Sequence, residues 1–287
     1  MNILVTGANG FVGKHFMAIA NQQFNCMAIS LQNNNWQTQT FNGIDTVLHL
    51  AGKAHQMEPI DDQIYFDINY TLTKLLFEKC VADGVKHFIY ISSTKVYGDD
   101  ILTELNEQSP CNPTDAYGKS KLAAEQYLLL QKSMVVTILR PPLIYGAGVK
   151  GNLLKIMQLC NSNKPLPFGN INNQRSMVGI HNLVAMLSAI ILQQKPGIFV
   201  PCDAAPISTT TLVSYIRKAL QRKPNIFSIP IFLRSIIKKL RPALYTRLFG
   251  SFYINNTYTN HTLQFVPPYT TEQGITITVN AFDKTTT

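Results

Sequence analysis

The chain has 287 residues, 46% of them apolar, and carries 25 Lys and Arg against 16 Asp and Glu, a formal charge of +9. These proportions exclude a disordered polar chain and allow one large domain, or one domain with a smaller lobe. Five cysteines (Cys26, Cys80, Cys111, Cys160, Cys202) are odd in number, far apart and without a CxxC pair, which argues against a disulfide framework and against a metal site.

Met1–Thr6 is a short apolar run that ends in glycines and predicts a buried parallel strand. Phe11–Gln22 follows as a helix, Asn25–Ser30 as a second strand and Asp45–Leu50 as a third. Tyr65–Asp83 places Ile68, Leu72, Leu75 and Leu76 at helical spacing, and Gly84 ends it. His87–Ser92 reads as a buried strand, Tyr117–Gln131 as a helix, and Val135–Arg140 as a strand running into Pro141-Pro142. Repeated strand–helix units imply an α/β chain with a doubly wound parallel sheet. A dinucleotide-binding domain is expected over 1–147.

Beyond residue 147 the pattern weakens. Helices are expected at Asn152–Leu159, Asn182–Gln193, Thr210–Gln221 and Ile231–Leu240 among loops rich in Pro and Asn. We read 148–287 as a smaller C-terminal substrate-binding lobe, with some later segments returning to the sheet. The cations are scattered, with one denser stretch at Lys218–Arg247, which fits an anionic small molecule better than a nucleic acid. The basic, apolar segment Ile231–Phe249 is interrupted by Pro242; it reads as a lobe helix with a solvated basic face, and membrane contact is not expected. The N-terminal apolar run is too short for a signal peptide, and no stretch reaches about 18 apolar residues. A cytoplasmic setting is the expectation.

Gly7, Gly10 and Gly13 form GxxGxxG directly after the first strand and at the start of a helix. Glycine lets backbone N–H groups approach a pyrophosphate, and the helix N-terminus adds partial positive charge. NAD or NADP is therefore the expected cofactor. The end of the second strand decides between them: an acid there grips the ribose of NAD, an arginine the extra phosphate of NADP. This chain has Ser30, so the choice stays open.

Tyr117 and Lys121 stand four residues apart, on one face of their helix. A tyrosine is a poor base at neutral pH, and an adjacent ammonium together with a cationic nicotinamide would lower its pKa. Lys121 would also reach the nicotinamide ribose. Ser93 ends a strand, where doubly wound folds place their sites, and would hold the reacting oxygen near Tyr117.

The segments TGANGFVG, HLAGKAH, YFDINYTLT, YISSTKVYG, YGKSK, LRPPLIYG and RSMVGIHNL resemble, in order and spacing, the extended short-chain dehydrogenases of the NAD-dependent epimerase/dehydratase group, over roughly residues 1–190. The resemblance implies a Rossmann-type fold. It implies Tyr117 as general acid/base, Lys121 as its electrostatic partner and Ser93 as the hydroxyl that positions the sugar. It implies pyrophosphate held by Gly7, Gly10 and Gly13 with the backbone of Phe11 and Val12, Leu50 and Ala51 lining the adenosine, and Asn69 bracing the active-site strand. Asn152 and Arg175 match contacts to a nucleotide-diphosphate sugar, although Asn152 also suits a helix N-cap. It further implies a homodimer formed through Tyr65–Asp83 and Tyr117–Gln131.

Two departures narrow the chemistry. The acid usual after the Arg-x-x-x-Val stretch is replaced by His181-Asn182, and His181 reads as a packed loop histidine. The Asp-Glu pair of the 4,6-dehydratases is replaced by Thr94-Lys95 after Ser93, which leaves elimination without its acid and base. The remaining readings are a 4-ketoreductase of a UDP- or dTDP-4-keto-6-deoxy sugar in bacterial polysaccharide synthesis, favoured by the bacterial subgroup this chain resembles and by the missing acid at Ser30; a 4-epimerase of UDP-N-acetylglucosamine or UDP-glucose; and a dinucleotide-binding regulator without catalysis, against which the complete Ser93, Tyr117 and Lys121 set argues.

Overall fold

In chain order, β1 (Asn2–Thr6), α1 (Phe11–Ala20), β2 (Asn25–Ile29) and β3 (Thr46–His49) lead into α2 (Asp62–Phe66), a π-helical turn (Asp67–Thr71) and α3 (Leu72–Ala82). Then come β4 (His87–Ile91), a 3-10 turn (Thr94–Tyr97), α4 (Ala116–Leu129), β5 (Val135–Leu139), β6 (Leu143–Tyr145), α5 (Gly151–Asn161), β7 (Leu166–Gly169), β8 (Met177–Gly179), α6 (Ile180–Gln193) and β9 (Gly197–Phe199). The chain ends with α7 (Thr209–Ala219), β10 (Ile226–Ser228), α8 (Ile231–Leu240), α9 (Pro242–Phe249), α10 (Thr257–Leu263) and α11 (Thr271–Thr286). This computed structural model describes residues 1–54, 60–99 and 104–286; His55, at the end of HLAGKAH, lies outside them.

Six strands pair in the order β2-β1-β3-β4-β5-β9, all parallel. The winding reverses between β1 and β3, and the crevice at the carboxyl ends of those strands is where such sheets bind ligands. β1, β3, β4 and β5 are buried because their Val, Ile and Leu runs are covered on both faces. β2 is mostly exposed, because no strand lies outside it. The chain instead turns back through a short 3-10 turn that buries Trp36.

The helix expected over Tyr65–Asp83 is present and unbroken from Asp62 to Ala82, but it widens into a π turn over Asp67–Thr71. At Asn69 the backbone carbonyl accepts from the Thr73 hydroxyl (2.8 Å) and from the Tyr90 hydroxyl (3.3 Å), within the widened π turn. Two parallel pairs of short strands, β6 with β8 and β7 with β10, were not expected; three or four residues are too few to show a period. α6 packs with α1 over the sheet through Phe16, Leu183, Leu187 and Ile190. α8 buries none of its residues, so its apolar positions face solvent, unlike those of an ordinary lobe helix.

α4 is tied to the sheet by charge. Glu125 receives Nε of Arg140 at 3.1 Å and Nη2 at 2.6 Å, and both residues are almost fully buried. Arg140 also donates to the Tyr97 hydroxyl (3.1 Å) and the Glu107 carbonyl (3.3 Å). A buried charge that loses its partner is costly, whereas replacing both partners by apolar groups is often neutral. Glu125→Leu is therefore expected to lower the unfolding free energy by about 3–5 kcal/mol in urea titration, and adding Arg140→Met should recover most of the loss.

Candidate active site

The β1–α1 turn is shaped by close backbone approach. Gly7 has φ of +68°, and a Cβ there would stand 2.6 Å from the Ala51 nitrogen, so the turn sits directly against the end of β3. A Cβ on Gly13 would collide with the Gly7 carbonyl. Gly10 is the N-cap of α1; no side chain caps the helix, and no acid lies in its first turn. A helix N-terminus that meets glycine backbone and no carboxylate suits a pyrophosphate, so the residues present fit a dinucleotide. Phe11 and Val12 are half-buried in this first turn, and Leu50 and Ala51 are half-buried across from it. Ser30 is exposed just after β2, and its hydroxyl accepts only a long contact from the Gln32 nitrogen (3.4 Å) among the hydrogen bonds described.

The residues expected to be catalytic come from two neighbouring elements. Asp115 caps α4 by accepting from the Gly118 nitrogen (2.7 Å), which fixes the turn carrying Tyr117, with Lys121 one turn on. Ser93 ends β4, caps the 3-10 turn by accepting from the Lys95 nitrogen (3.2 Å), and is hydrogen-bonded to Tyr117. The Tyr117 ring stands edge-on to Tyr65, centroids 5.9 Å apart. Lys121 Nζ donates to the Ile91 carbonyl (2.8 Å) and lies 4.7 Å from the centre of the Tyr90 ring. Burial pushes the Lys121 ammonium down to about 8, opposed by the Glu125 carboxylate. Burial pushes the Tyr117 phenol up, and the Ser93 hydrogen bond only partly offsets it. The expected lowering of the tyrosine by Lys121 is therefore not a property of the protein alone. Desolvation wins, and Tyr117 rests as a neutral phenol.

Asn69 is fully buried. Its Oδ1 accepts from the Lys53 nitrogen (2.8 Å), and its Nδ2 donates to the Lys53 carbonyl (3.1 Å) and the Ser120 hydroxyl (3.0 Å). It ties the loop after β3 to α4; the contact to β4 is made by its backbone carbonyl, which accepts from Tyr90. The structure thus brings Ser93, Tyr117, Lys121 and Asn69 together.

Asn152 and Arg175 are carried by the later elements. Asn152 is exposed in the first turn of α5, whose N-cap is Lys150, so it is not the cap. Arg175 is half-buried, its nitrogen donates to the Ile207 carbonyl (3.0 Å), and burial holds its guanidinium below the usual range. His181 opens α6 and is not in a loop; its ring lies 5.5 Å from Tyr269 and 6.2 Å from His15. A further carboxylate escapes sequence reasoning. Asp203 accepts from the Tyr145 hydroxyl (2.5 Å), the Gly179 nitrogen (3.0 Å) and the Asn182 amide (2.7 Å). Asn182 stands where an acid was expected, and the carboxylate arrives instead from a position 21 residues later, with no motif to announce it.

Comparison with known proteins shows the family and the fold. The profile of the NAD dependent epimerase/dehydratase family matches residues 3–200. The chain is 34% identical over 249 residues to a UDP-glucose 4-epimerase of Vibrio cholerae, covering 82% of this chain and 76% of that one. It is 26% identical over 311 residues to an N-acetyl-alpha-D-glucosaminyl-diphospho-ditrans,octacis-undecaprenol 4-epimerase of Escherichia coli, covering 96% and 93%. In fold it resembles a UDP-glucuronic acid 4-epimerase from Bacillus cereus in complex with NAD, with a TM-score of 0.77 at 19% identity over the whole of both chains.

Two predictions follow from the geometry of the site. A Gly7→Ala chain is expected to bind dinucleotide at least about tenfold more weakly, because the β1–α1 turn must open to admit the methyl group; equilibrium dialysis would measure it. The second concerns pH. Folding takes Lys121 from an ordinary lysine pKa of 10.5 down to about 8, so between those values the unfolded chain binds the extra proton. Stability from this residue therefore rises with pH across that window, and the cost of the buried ammonium is complete below it. Calorimetry at pH 7 and pH 10 should show the rise in the wild type, and Lys121→Met should flatten it while melting higher than wild type at pH 7.

Proposed function

The chain belongs to the NAD-dependent epimerase/dehydratase family, and from that premise we propose that it is a 4-epimerase of a UDP-linked sugar, UDP-glucose or UDP-N-acetylglucosamine. The observation that carries this reading is the hydrogen-bonded Ser93–Tyr117 pair with Lys121 one helical turn away, beside the glycine turn. NAD, when bound, supplies the hydride acceptor and donor for carbon 4 of the sugar. Ser93 holds the 4-oxygen against Tyr117. With a positive charge beside it, Tyr117 would release its resting proton to solvent; as phenolate it then takes the 4-hydroxyl proton, and as phenol it returns that proton to the 4-keto oxygen after the sugar has turned. Lys121, held by the Ile91 carbonyl, is the positive charge that offsets the phenolate during that exchange. Gly7, Gly10, Gly13 and the backbone of Phe11 and Val12 hold the cofactor's pyrophosphate, Leu50 and Ala51 flank its adenosine, and Asn69 positions the Lys53 loop around it. Arg175 is the candidate cation for the substrate diphosphate, and Asn152 a candidate polar contact to it.

The relatives named for 4-epimerisation support this reading over the 4-ketoreductase favoured by the sequence alone. The reductase reading keeps one observation, the exposed Ser30 where a carboxylate would grip the ribose of a retained NAD. Lys95 is paired with Asp99 (2.5 Å) and Asp115 (3.3 Å), so the position that a dehydratase gives to an acid holds a neutralised cation. We further propose a homodimer formed through α3 and α4, which expose Leu75, Val81 and Leu129.

The protein as purified, denatured and examined for released nucleotide by mass, is expected to yield NAD in stoichiometric amount. An empty site that binds NADPH or NADH reversibly would move the assignment to the reductase. Tyr117→Phe is expected to lower turnover about 100- to 10,000-fold while leaving cofactor affinity within a few-fold. A Tyr117→Phe enzyme of near-normal turnover would remove Tyr117 from its role.

A further inference from the structure

The net charge of the chain has one address. Nine of its cations, and no carboxylate, lie between Asp203 and Glu272, so the remaining 16 cations and 16 acids cancel. Within that stretch α8 and α9 form a helical hairpin joined at Arg241, and Arg234, Lys238, Lys239, Arg241 and Arg247 belong to it.

The hairpin is apolar as well as basic. Phe232, Ile236 and Leu240 repeat every four residues along one face of α8, with Leu233 beside them. All four are exposed, Phe232 at 66% and Leu240 at 70%, as are Ile231 at the start of α8 and Leu244 on α9. The opposite face looks inward: Arg234 donates to the Ile229 carbonyl (3.0 Å) and the Asn170 carbonyl (3.2 Å) and lies over the Phe249 ring, while Lys238 lies over the Tyr245 ring. Lys239 and Arg241 are exposed at the border of the apolar stripe. The helix is thus anchored by its polar side and offers its apolar side outward, the reverse of a core-packed helix. Single exposed apolar residues need no account, but a contiguous row rimmed by cations does.

We propose that the α8–α9 hairpin is an interfacial element that docks on an anionic phospholipid bilayer, lying in the surface without crossing it. The charge complementarity chooses this occupant: a row of Phe, Ile and Leu enters the boundary between headgroups and acyl chains, and the flanking Lys and Arg meet lipid phosphates. No described helix is long and apolar enough to span a membrane, so the contact is peripheral. The hairpin is fastened to the segment that holds Arg175. Asn173 Nδ2 donates to the Gly250 carbonyl (2.9 Å), and the Phe252 carbonyl accepts from the Ser176 nitrogen (2.8 Å). Docking would therefore fix the later half of the chain toward the bilayer.

The test is flotation of the full chain with vesicles of phosphatidylglycerol and phosphatidylcholine, against phosphatidylcholine alone, at low and high salt. The wild type is expected to float with the anionic vesicles at low salt and to be released by salt. Phe232→Gln/Ile236→Gln/Leu240→Gln and Lys239→Glu/Arg241→Glu should each weaken this partitioning at least about tenfold, with the melting temperature kept, since the replaced positions are exposed. A wild type that stays off anionic vesicles overturns the proposal. So do variants that float as well as wild type. Light scattering that shows a homodimer split by the Phe232, Ile236 and Leu240 substitutions, with no vesicle binding, would assign the face to a second copy of the chain instead.

Discussion

The Glu125–Arg140 pair is the constraint from which the site takes its shape. Tyr117 and Lys121 are useful only if α4 stands in one position over the end of β4, and apolar packing alone would let a helix with little one-sided pattern settle in several. The bidentate contact from α4 to the end of β5 removes that freedom. Arg140 passes the constraint on to Tyr97 and the Glu107 backbone. The Glu107 carboxylate then accepts from both the nitrogen and the hydroxyl of Thr259 in α10, and that hydroxyl accepts from the Val200 nitrogen just after β9 (2.9 Å). One chain of polar contacts thus runs from α4 to the far edge of the sheet.

The site is expensive in a specific sense. Lys121 is buried, with burial pushing its pKa down, and His49, beneath it at the end of β3, is driven to about 3 by burial and by the nearby lysine charge. The His49 ring is held between the Thr6 hydroxyl (2.7 Å) and the Thr73 hydroxyl (2.9 Å), which keeps it neutral and makes it a strut between β1, β3 and α3. The floor beneath Lys121 is therefore made of uncharged hydrogen bonds. Desolvation that raises a resting tyrosine also strengthens its attraction to any positive charge brought beside it.

What was legible in the sequence was whatever is local. The glycine turn, the strand ends and the i,i+4 relation of Tyr117 to Lys121 each follow from a few adjacent residues whose backbone conformation is dictated by type and spacing. The strands β1, β3, β4 and β5 were legible because their apolar runs are buried on both faces. The π turn around Asn69 was not, because the Asn69 carbonyl there takes hydroxyls from Thr73 and from Tyr90 on another strand. Asp203 was not, because its partners Tyr145, Gly179 and Asn182 meet it only in three dimensions. The pairing of β6 with β8 is of the same kind, and the resting state of Tyr117 is set by burial, which no motif encodes.

The sheet is finished late. β9, at residues 197–199, adds the last strand beside β5, and Asn182 and Tyr145 find their partners at Tyr269 and Thr271 near the end of the chain. During synthesis at the ribosome, β1 to β5 leave the exit tunnel well before these closing segments exist. In that interval the outer edge of β5 and the apolar faces of β6 and β8 are uncovered, the kind of surface that associates wrongly when it waits. With so many contacts between residues distant in sequence, folding is expected to be slow and to be completed only after α11 has been released. Until then the parallel sheet waits one strand short, with the edge of β5 open.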